Sequence, residues 1–323
     1  MKTRRQFLKS SSFAAAGAAI PIATDSLALP DQVSPLFDIS LAEWSLHRSI
    51  LQKNPDPANP PIDHLDFPKT AKSLGIDGIE YVNAMFFDKA QDSAYLQEMK
   101  SRADGEGVKS LIIMVDREGK IGDPDDTARK QTVENHLRWL EAAQFLGCHS
   151  IRVNAGSEGS YDEQLKLAAD GLRQLSEKGD EFDLNVIVEN HGGLSSNGQW
   201  LSSVMEAVDH PRCGTLPDFG NFTIDRKTNE RYDPYQGVTD LMPYAKAVSA
   251  KAYDWNTGKG EFVTSDQREG RELDLDFKKL LKIVTDAGYT GYIGVEYEGA
   301  KHPEVEGIRL TREAMENARD TLS

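Results

Sequence analysis

From Phe37 to Glu296, short apolar runs alternate with amphipathic stretches, and the ends of the runs fall at nearly even intervals. The expected strand ends are Leu41, Tyr81, Val115, Asn154, Glu189, Asp218, Lys251 and Glu296, seven intervals that average 36 residues. Parallel strands are joined by long crossovers, usually helices, and one strand–helix repeat takes about 30 residues or more. Eight such units predict an α/β chain closed into a (β/α)8 barrel. Two doubly wound layers could be built from the same elements. No glycine-rich dinucleotide fingerprint follows the first strand, however, Gly192-Gly193 after the fifth is too short to replace one, and there is no Walker A sequence.

The crossovers carry their own signals. Helices are expected over about 66–74, 94–106, 125–146, 161–178 and 200–208, with a short one ending at 241–245. Val133, Leu137, Leu140 and Phe145 approximate an apolar stripe on the third of these, and Leu165, Leu172 and Leu175 on the fourth. Asp274 is placed to cap the run Phe277, Leu280, Leu281 and Val284, which Gly288 stops, and a closing helix is expected from about Leu310. The proline-rich Asn54–Pro61 segment cannot be helix and is expected to run over the barrel mouth. The sixth strand, Cys213–Asp218, is the weakest because it contains Pro217.

The N-terminus reads as an address. A paired-arginine region, Thr3–Lys9, precedes a mild small-residue stretch and Ser26-Leu27-Ala28, a pattern that resembles a twin-arginine export signal. Residues 1–28 are therefore expected to be the signal, cleaved or retained as an anchor, and 29–323 the barrel domain, carried to the periplasm or another extracytoplasmic space by the twin-arginine machinery. No later segment is long and apolar enough to span a membrane. The formal charge is −15, from 37 basic and 52 acidic residues, and becomes −18 if the signal is removed after Ala28. That sign disfavours nucleic acid as a partner and fits a small ligand. Cys148 and Cys213 are the only cysteines; free core thiols are expected rather than a disulfide scaffold.

Barrel chemistry sits at the C-terminal ends of strands, where this chain places Glu80, Asp116, Arg152, Glu189, Asp218, Lys251 and Glu296. The strongest local piece is Val188-Glu189-Asn190-His191-Gly192-Gly193, a carboxylate and an imidazole on one strand face followed by a turn. Glu189, Asp218 and Glu296 together would repel unless a cation held them. Oxygen-rich ligation favours Mg2+ or Mn2+, while His191 as a further donor admits Zn2+ or Co2+. Lys251 can stabilise a developing oxyanion. Trp44, His47 and Tyr253 offer aromatic or polar faces to a sugar, and Arg152, Asn154 and Asn221 can orient hydroxyls.

Gly75–Tyr81 at the second strand, Val188–His191 at the fifth, Leu216–Asn221 at the sixth and Gly294–Tyr297 at the eighth give the chain the look of the xylose isomerase-like barrel superfamily. It resembles in particular the branch of sugar phosphate isomerases and epimerases. The resemblance covers roughly residues 37–320. It implies a divalent cation held by Glu189, Asp218, a seventh-strand ligand and Glu296, and a homodimer. Two positions depart from the pattern: Ser249 stands where the seventh strand carries an imidazole, and Asn221 replaces a histidine after the sixth.

The leading expectation is isomerisation or epimerisation of an unphosphorylated sugar or keto-sugar by proton abstraction beside a carbonyl. Glu189 and Glu296 are the expected acid–base pair, with His191 and Lys251 assisting. The alternatives are cleavage of a keto-glycoside by related chemistry, as a lyase or hydrolase, and a non-catalytic carbohydrate-binding barrel.

Overall fold

In the computed structural model, residues 35–54, 56–268 and 272–322 are described. The strands are β1 (Asp38–Ala42), β2 (Gly78–Val82), β3 (Lys109–Met114), β4 (Ser150–Val153), β5 (Asn185–Glu189), β6 (Cys213–Leu216), β7 (Thr223–Asp225), β8 (Glu230–Arg231), β9 (Val248–Ala252), β10 (Val263–Asp266), β11 (Leu273–Asp276) and β12 (Tyr292–Tyr297). Eight of them form one parallel sheet, ordered β6-β5-β4-β3-β2-β1-β12-β9. β1 pairs with both β2 and β12, so the first and last barrel strands meet. The remaining seam, β6 to β9, closes through parallel bridges Thr215–Ala245 and Asp218–Ser249. Pro217 has no N–H to give, yet its carbonyl accepts from Ser249 N at 2.9 Å, and Phe219 N donates to Ser249 O at 3.1 Å. The expected (β/α)8 barrel is thus the architecture found.

The helices are α1 (His47–Leu51), α2 (Phe67–Ser73), α3 (Ser93–Glu106), α4 (Asp126–Leu146), α5 (Tyr161–Phe182), α6 (Gly198–Val208), α7 (Pro234–Leu241), α8 (Phe277–Asp286) and α9 (Glu304–Leu322). Short polar side chains start most of them: Asp92, Asp125, Ser160, Asn197, Asp233 and Asp276 each accept a first-turn N–H. At Ser160 the arrangement is a full capping box with Glu163. Gly107 and Gly147 take the left-handed conformation that ends α3 and α4. Among the described residues, no helix is long and apolar enough to cross a membrane.

Period two divides the strands. Ile79 and Tyr81, Ile113, Ile151 and Val153, Val186 and Val188, and Ile293 and Val295 pack outward into the helix–sheet core. Val82, Ile112, Met114, Ile187 and Leu216 fill the barrel interior. The inward positions nearer the mouth carry Arg152, Glu189, Ser249, Lys251 and Glu296, all buried. This is the packing logic that turns a strand end into a site: outward residues fix the strand, and inward ones are presented to the pocket.

Several expectations are corrected. Phe145 is 41% exposed; the buried face of α4 runs instead through Val133, Trp139, Leu140, Ala143 and Leu146. Asp276, not Asp274, caps α8, because Asp274 belongs to β11. The closing helix starts at Glu304 rather than Leu310. Two antiparallel hairpins, β7–β8 and β10–β11, have no counterpart among the expected elements. Cys148 and Cys213, by contrast, are free thiols as expected. Residues 1–28, read as an export signal, lie outside the described residues.

Candidate active site

β5 delivers Glu189, the turn after β6 delivers Asp218, and β12 delivers Glu296. One carboxylate oxygen from each lies within 4.8 Å of the others. Asp218 is positioned by backbone as much as by side chain. Asn190, the buried residue after Glu189, accepts from Asp218 N at 2.8 Å and donates to Asp218 O at 3.0 Å. Asp218 Oδ1 accepts from the N–H groups of Gly220 and Asn221, both at 2.8 Å. The pairing of Asn190 with Asp218 therefore locks two neighbouring strand ends together.

Ser249 occupies the centre of the cluster. Its Oγ lies 2.9 Å from Asp218 Oδ2 and 2.8 Å from Glu296 Oε2. One hydroxyl proton serves only one of the two carboxylates at a time. Burial, with the charges of Glu296 and Glu189, pushes the Asp218 carboxyl well above the ordinary carboxylate range despite Lys251. The donor set is all oxygen and compact, and its carboxylates repel one another, which suits a hard divalent cation held by Glu189, Asp218 and Glu296.

Lys251 supplies the fixed positive charge. Its Nζ lies 3.0 Å from Glu296 Oε1, 3.1 Å from Glu298 Oε1 and 3.7 Å from Asp218 Oδ2. Burial alone would depress the ammonium; Asp218, Glu296 and Glu298 outweigh it and raise its pKa well above the usual lysine value. In return, and against burial, Lys251 holds the Glu298 carboxyl down at about 2.

Arg152 bridges the other side, with Nε 2.8 Å from Glu189 Oε2 and Nη1 2.8 Å from Asp116 Oδ1. Burial would raise Glu189, but Arg152, His191 and Lys251 together outweigh it and keep that carboxyl low. Arg152 likewise drives Asp116 far below the ordinary range.

A cavity of about 550 Å3 opens above this cluster, lined among others by Trp44, His47, Asp116, Arg152, His191, Glu296 and Glu298. Trp44 and His47 stack with ring centroids 4.7 Å apart. His191 is fixed through Nδ1, 3.1 Å from Asn154 Oδ1, while Asn154 Nδ2 donates to Asp116. The turn behind His191 depends on Gly192 and Gly193, both at positive φ. A smaller adjoining cavity of about 220 Å3 shares His191 and adds Asn221 and Tyr253.

Not every expected residue faces this space. Glu80 lines neither cavity: it is buried in the barrel interior, accepting from Ser40 Oγ at 2.6 Å. A Cβ on Gly294 would stand 2.6 Å from its Oε1, so the glycine of β12 makes room for it. Burial raises its carboxyl to about 7. Glu189 is also covered, with Oε1 accepting from Asn221 Nδ2 at 2.8 Å. Among the described residues of the proline-rich segment, none lines either cavity, and Asn59 Oδ1 accepts from Glu304 N at 2.7 Å.

Glu298 escaped the sequence reading, although it stands two residues past Glu296 and so continues that residue's period-two face just beyond the end of β12. Arg48, Arg117, Arg226 and Arg268, which also line the larger cavity, escaped it too. They lie outside the barrel strands, where no period-two pattern assigns a direction.

Comparisons with known proteins agree with this architecture. A xylose isomerase-like protein from Mycobacterium smegmatis, solved with magnesium, is 15% identical, with a TM-score of 0.63 over 89% of this chain and 98% of that one. A 3-keto-D-glucoside 4-epimerase from E. coli is 19% identical, with a TM-score of 0.60 over 87% and 99%. A D-tagatose 3-epimerase-like protein is 16% identical, with a TM-score of 0.65 over 89% and 100%. No curated protein sequence matches the chain. Residues 68–321 match the family described as the xylose isomerase-like TIM barrel. The chain belongs to that family.

Proposed function

We propose that this barrel is a metal-assisted isomerase or epimerase of an unphosphorylated sugar or keto-sugar. The observation that carries the reading is Glu296: it belongs to the three-carboxylate cluster and also lines the open cavity. Glu189, Asp218 and Glu296 would hold the cation, which supplies Lewis-acid polarisation of a substrate oxygen. The Glu296 carboxylate removes the proton beside the carbonyl, and Lys251 Nζ steadies that carboxylate at 3.0 Å. His191 donates through Nδ1 to Asn154, leaving Nε2 as an acceptor in the neutral ring, placed to exchange a proton with a substrate hydroxyl. Return of the proton to the neighbouring carbon gives an isomer; return to the other face gives an epimer. The stacked Trp44 and His47 support the sugar ring. Epimerase names among the similar structures support the same class. We further propose that the protein works after twin-arginine export.

The test is product analysis on free ketoses and 3-keto-sugars, with protein stripped of metal and then reloaded with Mn2+ or Mg2+. Rearranged, intact sugar is the expected product. Glu296→Gln should lower turnover by about 100-fold or more, within the range for a lost proton-transfer group. Released aglycone would replace this reading with keto-glycoside cleavage, and undiminished turnover by Glu296→Gln would remove its base.

A further inference from the structure

Five arginines line the larger cavity, against three carboxylates, in a chain of formal charge −15. Three of the five are committed to neighbours. Arg48 is held by Glu304, Arg152 by Asp116 and Glu189, and Arg268 by both oxygens of Asp266. Arg117 and Arg226 are different: both are exposed, and neither makes a hydrogen bond or ion pair among the described residues.

Arg117 is also set in place at a cost. Its φ is +65°, in the left-handed region that a side chain with a Cβ seldom adopts. The residues on either side enforce this. Asp116 is pinned by Asn83, which accepts from its N–H at 3.1 Å and donates to its carbonyl at 2.9 Å. Glu118 is pinned by Trp139 Nε1 at 2.6 Å. Between two anchored residues the backbone turns sharply, and a guanidinium with no partner among the described residues is left at the cavity wall. Arg226 arrives from a separate loop, following β7 in the hairpin between β6 and α7, and lines both adjoining cavities.

We propose that Arg117 and Arg226 form a clamp for an ionised substituent of the substrate, so that this enzyme acts on an acidic sugar bearing a carboxylate or sulfate. Guanidinium forks suit such oxyanions because they offer paired donors in one plane. A neutral sugar would leave both cations without a counter-charge, since the nearby carboxylates are already matched to Arg48, Arg152, Arg268 and Lys251. The sugar would lie with its reacting carbon toward Glu296 and its charged group toward the two loop arginines. This extension rests on the proposed function for its sugar, but the clamp itself is an electrostatic feature that binding alone can read.

The experiment is calorimetric titration of the full chain at low salt with D-glucuronate, D-glucose 6-sulfate, D-glucose 6-phosphate and D-glucose. Glucuronate or the sulfate should bind about tenfold more tightly than D-glucose, as one or two charge-assisted hydrogen bonds would give. The tightest arm identifies the oxyanion; if it is the phosphate, the clamp stands and the unphosphorylated substrate falls. The preference should shrink with added salt, disappear in Arg117→Leu/Arg226→Leu and return in part in Arg117→Lys/Arg226→Lys. Both side chains are exposed and have no partner among the described residues, so the variants should fold. An acidic preference that survives the double Leu variant, or no preference among probes that bind, overturns the clamp. Turnover of a neutral ketose without acidic preference overturns the clamp alone. Acidic preference in a protein that converts no sugar overturns the proposed function and leaves the clamp standing. Absence of binding to all four probes at millimolar concentration counts against both.

Discussion

Lys251 places one buried ammonium among three carboxylates, and losing it costs more than losing a surface ion pair. Removing one partner of a buried charged set leaves the others uncompensated, at a typical cost of about 3–5 kcal/mol. Lys251→Met keeps most of the side-chain volume and deletes only the charge facing Asp218, Glu296 and Glu298. The expected outcome is a urea midpoint lowered to match that loss, with Mn2+ restoring more stability to the variant than to the wild type. The direction follows because a cation that binds only the folded state stabilises it by mass action. Equal midpoints for variant and wild type would show that Lys251 does not balance the cluster. At this scale the sequence was readable where side-chain direction is dictated by a strand. Glu189, Asp218, Lys251 and Glu296 are found together because their strand-end positions place them there. Arg117 was not readable, since a positive φ on a residue other than glycine has no signature in composition or spacing.

Helix packing tests the element scale through two glycines with opposite environments. Gly171 lies inside α5, where a Cβ would meet the backbone carbonyl oxygen of Ile121 at 1.8 Å; Gly105 lies inside α3 with nothing within 4 Å of the same position. Alanine is the better helix former by about 1 kcal/mol, so propensity alone favours both substitutions. At Gly171 the clash reverses the sign, because backbone cannot swing away as a side-chain tip can. Gly105→Ala should stabilise by about 0.5–1 kcal/mol, and Gly171→Ala should destabilise by about 1–3 kcal/mol or more. Urea unfolding of the two variants checks the pair, and a stabilising Gly171→Ala would contradict the close approach of α5 to the loop after β3. The same contrast explains which elements were legible. Helices and barrel strands follow from hydrophobic period, which is local. The β7–β8 hairpin is short, polar and partly exposed, and β10, though largely buried, is a four-residue run with only one aliphatic side chain, so their pairing rests on neighbours that the pattern does not reveal. The early start of α9 has a similar cause: Glu304 is fully buried, accepting from Arg48 N at 2.7 Å and Ser49 N at 2.9 Å.

The whole molecule is closed by its most distant pieces. β1 pairs with β12 from Asp38–Tyr292 to Leu41–Val295, and Ser45 Oγ donates to Val295 O and accepts from Tyr297 N. A barrel with such pairings cannot be completed until nearly all of the chain is present, and contacts this remote in sequence form slowly. Finishing the fold before crossing a membrane avoids exposing unpaired parallel edges during threading. The export route proposed above from the paired arginines would carry the barrel across already folded. Arg4→Lys/Arg5→Lys should therefore leave folded protein in the cytoplasm, measured by cell fractionation and by protease resistance of the retained fraction. Replacing residues 1–28 with a signal for unfolded translocation should lower the yield of folded barrel outside. Wild-type levels of the double-lysine variant in the periplasmic fraction would refute twin-arginine export. The barrel and its carboxylate cluster would be untouched by that result, since their geometry is set by residues from Pro35 onward.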